Sequence, residues 1–196
     1  DRAAWGEILA SLNLEAAGVE YSRKGITVDD EMRTTAPHIW AVGDVVAGGY
    51  PFTHVASRQA SVVTHNVMGE EPPRSIDYSA VPWVTFTDPE LARVGMTEAE
   101  ATEAGHDVAV GTIDIEDFAR AIATDQRRGL VKLVADRVSG KLLGGHILSP
   151  NAGEMLGEVT LAVRLGLPAG VIGNTIHPYP TFSDTVAYAS REILAE

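Results

Sequence analysis

Leu130–Leu148 reads LVKLVADRVSGKLLGGHIL. Apolar residues dominate Leu130 to Val134 and again Leu142 to Leu148, and the short connection Arg137-Val138-Ser139-Gly140-Lys141 carries a glycine. Two short apolar runs joined in this way form a hairpin, and a hairpin is an antiparallel pair. Upstream, Val108 to Ile115 alternates apolar and polar residues, the period of a strand with one buried face. Val81-Pro82-Trp83-Val84-Thr85-Phe86 reads as a further strand, with Pro82 near its start. Between these two, Thr97-Glu98-Ala99-Glu100 is a capping box that opens a short helix, and Gly105 ends it. Downstream the period lengthens. Asn151 to Leu165 places Leu156, Val159 and Val163 on one helical face, Leu167 to Gly173 is expected as a short helical turn, and Thr181 to Leu194 as the last helix. Strands followed by helices predict an α+β fold, an antiparallel sheet with helices on one side.

The residues before this unit follow a different plan. Glu70-Glu71-Pro72-Pro73-Arg74 is the best linker in the chain. Ahead of it, His54 to Met68 has a helical apolar stripe that Gly69 ends. Ile26-Thr27-Val28 reads as a short strand, Asp29-Asp30-Glu31 as a polar turn, and Ile39 to Val42 as a second strand closed by Gly43-Asp44. Residues 1–24 look like the tail of a preceding unit, with Leu9, Leu12 and Leu14 as apolar anchors and Gly18 as a helix stop.

Composition narrows the function. The chain has 196 residues, 45% of them hydrophobic, and a net charge of −12. That charge excludes a nucleic-acid or anionic-membrane binder, either of which needs a basic surface. No apolar stretch is long enough to span a bilayer. There are no cysteines, so disulfides, thiolate nucleophiles and zinc–sulfur sites are excluded within these residues.

Two motifs carry chemistry. In Ala41-Val42-Gly43-Asp44 a carboxylate stands at the end of an apolar run, where α/β folds place ligands, and it is able to accept hydrogen bonds from vicinal hydroxyls. From these four residues alone, an aspartate that stabilises its own turn is the commoner reading. The second motif is Ile176-His177-Pro178-Tyr179-Pro180-Thr181-Phe182-Ser183-Asp184. Each proline biases the residue before it toward extended backbone, so His177 and Tyr179 are held stiffly. Thr181 and Asp184 stand at capping-box spacing for the helix that follows.

Gly25-Ile26-Thr27-Val28-Asp29 together with Met32 to Asp44 closely resembles the second flavin-binding segment of the FAD-dependent pyridine nucleotide–disulfide oxidoreductases. Thr85-Phe86-Thr87-Asp88-Pro89-Glu90-Leu91-Ala92-Arg93-Val94-Gly95-Met96-Thr97-Glu98, Gly144-Gly145-His146-Ile147-Leu148 and Glu154-Met155-Leu156 resemble that family's dimerisation domain. The mercuric reductase and dihydrolipoamide dehydrogenase branches are the nearest in pattern. The resemblance implies three parts: 1–24 as a remnant of a nicotinamide-binding domain, 25–75 as a partial α/β FAD-binding segment, and 78–196 as the dimerisation domain.

The resemblance also implies site residues. Asp44, with Gly43, lies beside the hydroxyls of FAD. Thr53, His54 and Val55 open a helix whose N-terminus faces the flavin, where its N–H groups and positive potential suit a developing anion. In many members a His-Pro-Thr followed by Glu reaches the partner subunit's active site as acid/base. Here Tyr179 and Asp184 stand in those places, and His177 lies two residues upstream as a third catalytic candidate. A phenol titrates near pH ~10, so tyrosine is a poor base at neutral pH but a good hydrogen-bond donor. Mercuric reductases carry tyrosine at this place, but they end in a vicinal cysteine pair that is missing here. No metal site is expected.

The family's Gly-x-Gly-x-x-Gly loops and redox cysteine pair do not occur in these residues; in family members they precede the matching segments. The chain is therefore expected to be the C-terminal part of a cytoplasmic, homodimeric flavoenzyme. That enzyme would pass electrons from NAD(P)H through FAD to a disulfide, a metal ion or another acceptor, and the part would be inactive alone. The alternative is a homodimeric association module without catalysis.

Overall fold

The computed structural model describes residues 2–195, with side chains described from Gly6 to Ile193. The chain divides into two compact units, Asp1–Tyr78 and Ser79–Glu196.

The first unit begins with helix α1 (Arg2–Ser11) and a 3-10 turn at Leu14–Ala17, which Gly18 closes in the left-handed region at φ 72°. Strands β1 (Tyr21–Ser22) and β2 (Gly25–Ile26) form a two-stranded antiparallel pair. Ile26 also bridges Val46 in parallel, and the Ala47 N–H donates to the Ile26 carbonyl at 2.9 Å. Only glycine fits at position 25. Its φ is +133°, and a Cβ there would lie 2.5 Å from the Val45 carbonyl oxygen. Helix α2 (Thr53–Val67) lies against a 3-10 turn at Gly43–Val45. Leu9, Val19, Ile26, Met32, Ala41, Val46 and Val62 make the core of this unit.

Several expectations for this unit need correction. Ile39 to Val42 forms no strand: Trp40 alone bridges Arg33. The segment has one short neighbour to pair with, through Thr34 N–H to the Ile39 carbonyl and Ala41 N–H to the Met32 carbonyl, and then curls into the 3-10 turn. The strand at Ile26 likewise stops, and Val28 makes only an isolated bridge to Thr34. Leu9 is fully buried, but the expected anchor Leu12 is 57% exposed. The linker is strapped down. Asn66 pairs twice with Arg74, donating to its carbonyl and accepting from its N–H, each at 2.8 Å. His65 Nε2 lies 2.9 Å from the Pro72 carbonyl.

The second unit is a five-stranded sheet in the order β3-β4-β7-β6-β5, antiparallel throughout. Its strands are β3 (Trp83–Thr85), β4 (Glu90–Gly95), β5 (Val108–Asp114), β6 (Leu130–Asp136) and β7 (Leu142–Ser149). The short helices α3 (Glu98–Glu103) and α4 (Ala119–Thr124) lie between strands; α5 (Ala152–Leu165), α6 (Ala169–Asn174) and α7 (Asp184–Ala195) follow the sheet. The capping box of α3 is present: the Glu100 N–H donates to Thr97 Oγ1 at 3.2 Å, and the Thr97 N–H donates to the Glu100 carboxylate at 2.7 Å. Those bonds hold the Glu100 carboxyl below its ordinary value.

Register fixes the two faces. Ala92 pairs with Ile147, Ile147 with Val131, and Val131 with Ile113, so these side chains share one face. Helix α5 packs on β4 and β7 and α7 on β5 and β6. The approach of α7 is so close that a Cβ at Gly111 would overlap the Ala189 carbonyl. The other face carries the paired row Arg93, His146 and Lys132, which α3 meets through Glu100 at 3.2 Å from Arg93 and Glu98 at 2.7 Å from Lys132.

The α+β fold and the main strands match expectation. Strand β4 and helix α4 were not expected. In β4, Glu90 and Leu91 interrupt the alternation, and the buried side chains are the small Ala92 and Val94. Helix α4 is six residues long and lacks a side-chain cap. The last helix starts at Asp184 rather than Thr181. Thr181 is no cap, because its hydroxyl donates to the Pro178 carbonyl at 2.7 Å and holds the preceding turn instead.

Candidate functional site

In the first unit, Asp44 sits in the 3-10 turn that Gly43 opens at φ +80°. The turn is held from behind by Gln59, which is fully buried on α2. Its carbonyl accepts the Gly43 N–H at 2.6 Å and its amide donates to the Tyr78 hydroxyl at 2.6 Å. The Asp44 side chain itself is exposed and has no hydrogen-bond partner among the described residues. It lines a cleft of about 640 Å³ together with Arg23, Lys24, Gly25, Gly48 and Pro51.

Gly43 also touches the first turns of α2, since a Cβ there would meet Ala56 Cβ at 3.6 Å. The structure thus brings Asp44 and the start of α2 together. Thr53 and His54 are exposed at that start, and the His54 ring stacks on Phe52 at 5.3 Å between centroids. Val55 differs: its side chain is buried and its N–H is bonded to the Phe52 carbonyl at 3.0 Å. Val55 shapes the helix start from the inside.

In the second unit, the segment between α6 and α7 is pinned at two points. Phe182 is buried in the core. The His177 side chain is 6% exposed, with Nδ1 3.0 Å from the Thr175 carbonyl and Nε2 2.8 Å from the Glu158 carboxylate on α5. Between these pins Tyr179 projects outward, 76% exposed, across a cis peptide to Pro180. No hydrogen bond joins Tyr179, His177 and Asp184 to one another among the described residues. Asp184 stands in the first turn of α7, where a carboxylate suits the helix dipole.

Two site residues escaped the sequence reading. Gln59 left a signal: with Val55 and Val62 it occupies the i, i+4, i+7 face, so a polar side chain stands at a core position of α2. Glu158 left none, because nothing links it to His177 nineteen residues away.

Residues 81–190 match the sequence family described as pyridine nucleotide-disulphide oxidoreductase, dimerisation domain, and residues 3–60 match the family described as pyridine nucleotide-disulphide oxidoreductase. The chain belongs to the pyridine nucleotide-disulphide oxidoreductases. Among relatives of this family, dihydrolipoyl dehydrogenase of Haloferax volcanii is 40% identical over 187 residues, which is 95% of this chain and 39% of that protein. Mercuric reductase of Streptomyces lividans is 40% identical over 188 residues, 94% of this chain and 39% of that protein. Among solved structures, the HOCl-induced flavoprotein disulfide reductase RclA from Escherichia coli superposes with a TM-score of 0.82 at 35% identity, over 90% of this chain and 40% of that one. The chain thus spans about two fifths of the length of these oxidoreductases. No helix among the described residues is long and apolar enough to cross a membrane.

Proposed function

We propose that these residues serve a homodimeric, FAD-dependent NAD(P)H oxidoreductase as its returning flavin segment and its dimerisation domain. Residues 1–24 close the nicotinamide-binding part, 25–75 contact the flavin, and 78–196 associate with a second copy. Alone, they do not catalyse.

The observation that carries this reading is Asp44. An exposed carboxylate without a protein partner among the described residues stands on a turn braced by Gln59, beside a cleft that Gly25 lines and Arg23 and Lys24 make locally positive. That donor set fits a sugar-alcohol chain with phosphates: the carboxylate accepts from hydroxyls, and the cations meet the anion. Bound there, the flavin supplies hydride acceptance from the nicotinamide and onward electron transfer. The protein's part is placement. Asp44 orients the hydroxyl chain, and the start of α2 at Thr53 and His54 presents the positive end of a helix.

On the acceptor side, Tyr179 offers an exposed hydroxyl from the C-terminal segment. In the homodimer it enters the partner's site and donates a hydrogen bond or proton to the departing acceptor, with Asp184 behind it at the start of α7. The acceptor is a disulfide, a metal ion or a group of similar reach.

The purified full-length enzyme that carries these residues should be yellow and oxidise NAD(P)H. Asp44→Ala should lower flavin content at least about tenfold, the loss expected for removing hydrogen bonds to a charged group. Tyr179→Phe should slow the acceptor half-reaction by about 10²-fold, the lower range for a positioned proton donor, while flavin reduction by NAD(P)H proceeds at its normal rate. Equal losses in both half-reactions would remove Tyr179 from the acceptor side. A colourless full-length product that forms stable dimers would favour the association module instead.

A further inference from the structure

We propose that His177 and Glu158 act as a positioning pair that sets the place of Tyr179, and that His177 itself transfers no proton. The inference rests on the acceptor-side reading of Tyr179 given above.

His177 looks at first like the missing acid/base, being the one imidazole in the motif. Its surroundings say otherwise. Both ring nitrogens are engaged within the protomer, Nδ1 at 3.0 Å from the Thr175 carbonyl and Nε2 at 2.8 Å from Glu158 Oε2. The side chain is only 6% exposed, so no ring edge remains to meet a reacting group. The ring thus bridges the segment's own backbone to α5, with the Thr175 carbonyl at one nitrogen and the Glu158 carboxylate at the other. Such a bond to a charged partner is among the stronger kinds a side chain makes.

The bridge is placed where it governs Tyr179. The segment leaves α6 at Thr175, whose hydroxyl donates to the Val171 carbonyl at 2.7 Å. Two residues on, His177 ties it to α5. Then the Thr181 hydroxyl, donating to the Pro178 carbonyl at 2.7 Å, closes a turn around Tyr179. Phe182 anchors the far side in the core. Tyr179 therefore rides a short arch with one foot at Phe182 and the other at His177. Remove the second foot and the phenol keeps its chemistry but loses its address, and reacting groups misplaced by about an ångström lose about 10² in rate.

The test uses the flavin-loaded homodimer of the full-length enzyme that carries these residues and reads two things. Amide hydrogen exchange of residues 176–183 reports the arch whether or not any acceptor is turned over. His177→Ala and Glu158→Ala should each speed that exchange by about tenfold or more, the double variant no further than either single one. His177→Gln, whose amide nitrogen falls near Nε2 and still donates to Glu158, should restore slow exchange. Unchanged exchange in His177→Ala would overturn the bridge.

The second reading is reduction of a small aromatic disulfide, 5,5′-dithiobis(2-nitrobenzoate), at saturating NAD(P)H. His177→Ala should lower its turnover, His177→Gln should recover most of it, and His177→Ala combined with Tyr179→Phe should lose no more than Tyr179→Phe alone. Additive losses would mean that His177 does its own chemistry and would overturn the positioning role. Slow, rescuable exchange in a protein that reduces no acceptor would instead count against the proposed function while leaving the bridge in place.

Discussion

Gly25→Ala is the sharpest structural test of the first unit, because two penalties fall on one added methyl. The new Cβ would lie 2.5 Å from the Val45 carbonyl oxygen, 2.6 Å from the Ala47 nitrogen and 2.8 Å from the Val46 carbonyl carbon. All three are backbone atoms, so no side chain can swing away. Overpacking of this kind costs about 1–3 kcal/mol. The φ of +133° adds about 1–3 kcal/mol for a residue with a Cβ. Together they approach about 4 kcal/mol, and a chain of this length loses roughly 2–4 °C of melting temperature per kcal/mol, so a fall of roughly 8–16 °C is expected. Gly18→Ala is the matched control: it too is left-handed, at φ +72°, but nothing lies within 4 Å of its Cβ. It should lose only about 1–2 kcal/mol. Thermal unfolding followed by far-UV circular dichroism reads both variants. If Gly25→Ala melts no lower than Gly18→Ala, the close passage of β2 beside Val45–Ala47 is wrong, and with it the cleft that holds Asp44.

Gln59→Leu should cost about 2–4 kcal/mol in urea unfolding, because it leaves the Gly43 N–H and the Tyr78 hydroxyl without their bonds to Gln59. Adding Tyr78→Phe should recover part of that loss, and no recovery would show that the bridge is not shared. Asp136 is held well below the usual carboxylate range, chiefly by the Ser139 hydroxyl and N–H, each at 2.7 Å, and also by His106 at 2.9 Å. A carboxylate depressed in the folded state adds stability that is present above its unfolded value near ~4 and is lost as pH falls below it. The stability gap between wild type and Asp136→Asn should therefore close as pH drops below about 4, and a gap that widens there would contradict the assignment.

The α+β character of the second unit was legible because it is a matter of near neighbours. The runs at Val108, Leu130 and Leu142 alternate or persist at strand length, the Arg137–Lys141 connection is too short for anything but a hairpin, and Thr97 and Glu100 satisfy each other across three residues. Strand β4 was not legible, since Glu90 and Leu91 spoil its period; it becomes a strand because β3 and β7 offer hydrogen bonds on both sides. Ile39 to Val42 failed in the opposite sense: its composition suits a strand, but the fold supplies no ladder for it.

The amino-acid order alone was enough to establish the antiparallel sheet, the helix cap at Thr97, the ending of α2 before Gly69 and the kinship carried by the Asp44 and Tyr179 motifs. Folding in three dimensions decided the rest. It put Glu158 against His177, sent Gln59 to brace the turn at Gly43, and turned Thr181 from a helix cap into the clasp of an arch. The division follows the range of the forces. Periodic burial and capping act within a few residues and leave a pattern in the string. Partners brought together by packing are chosen by shape and unmet hydrogen bonds once the chain has closed on itself; the string marks Gln59 as a polar residue on a core face but does not say what it holds, and it holds no sign of the Glu158–His177 pair.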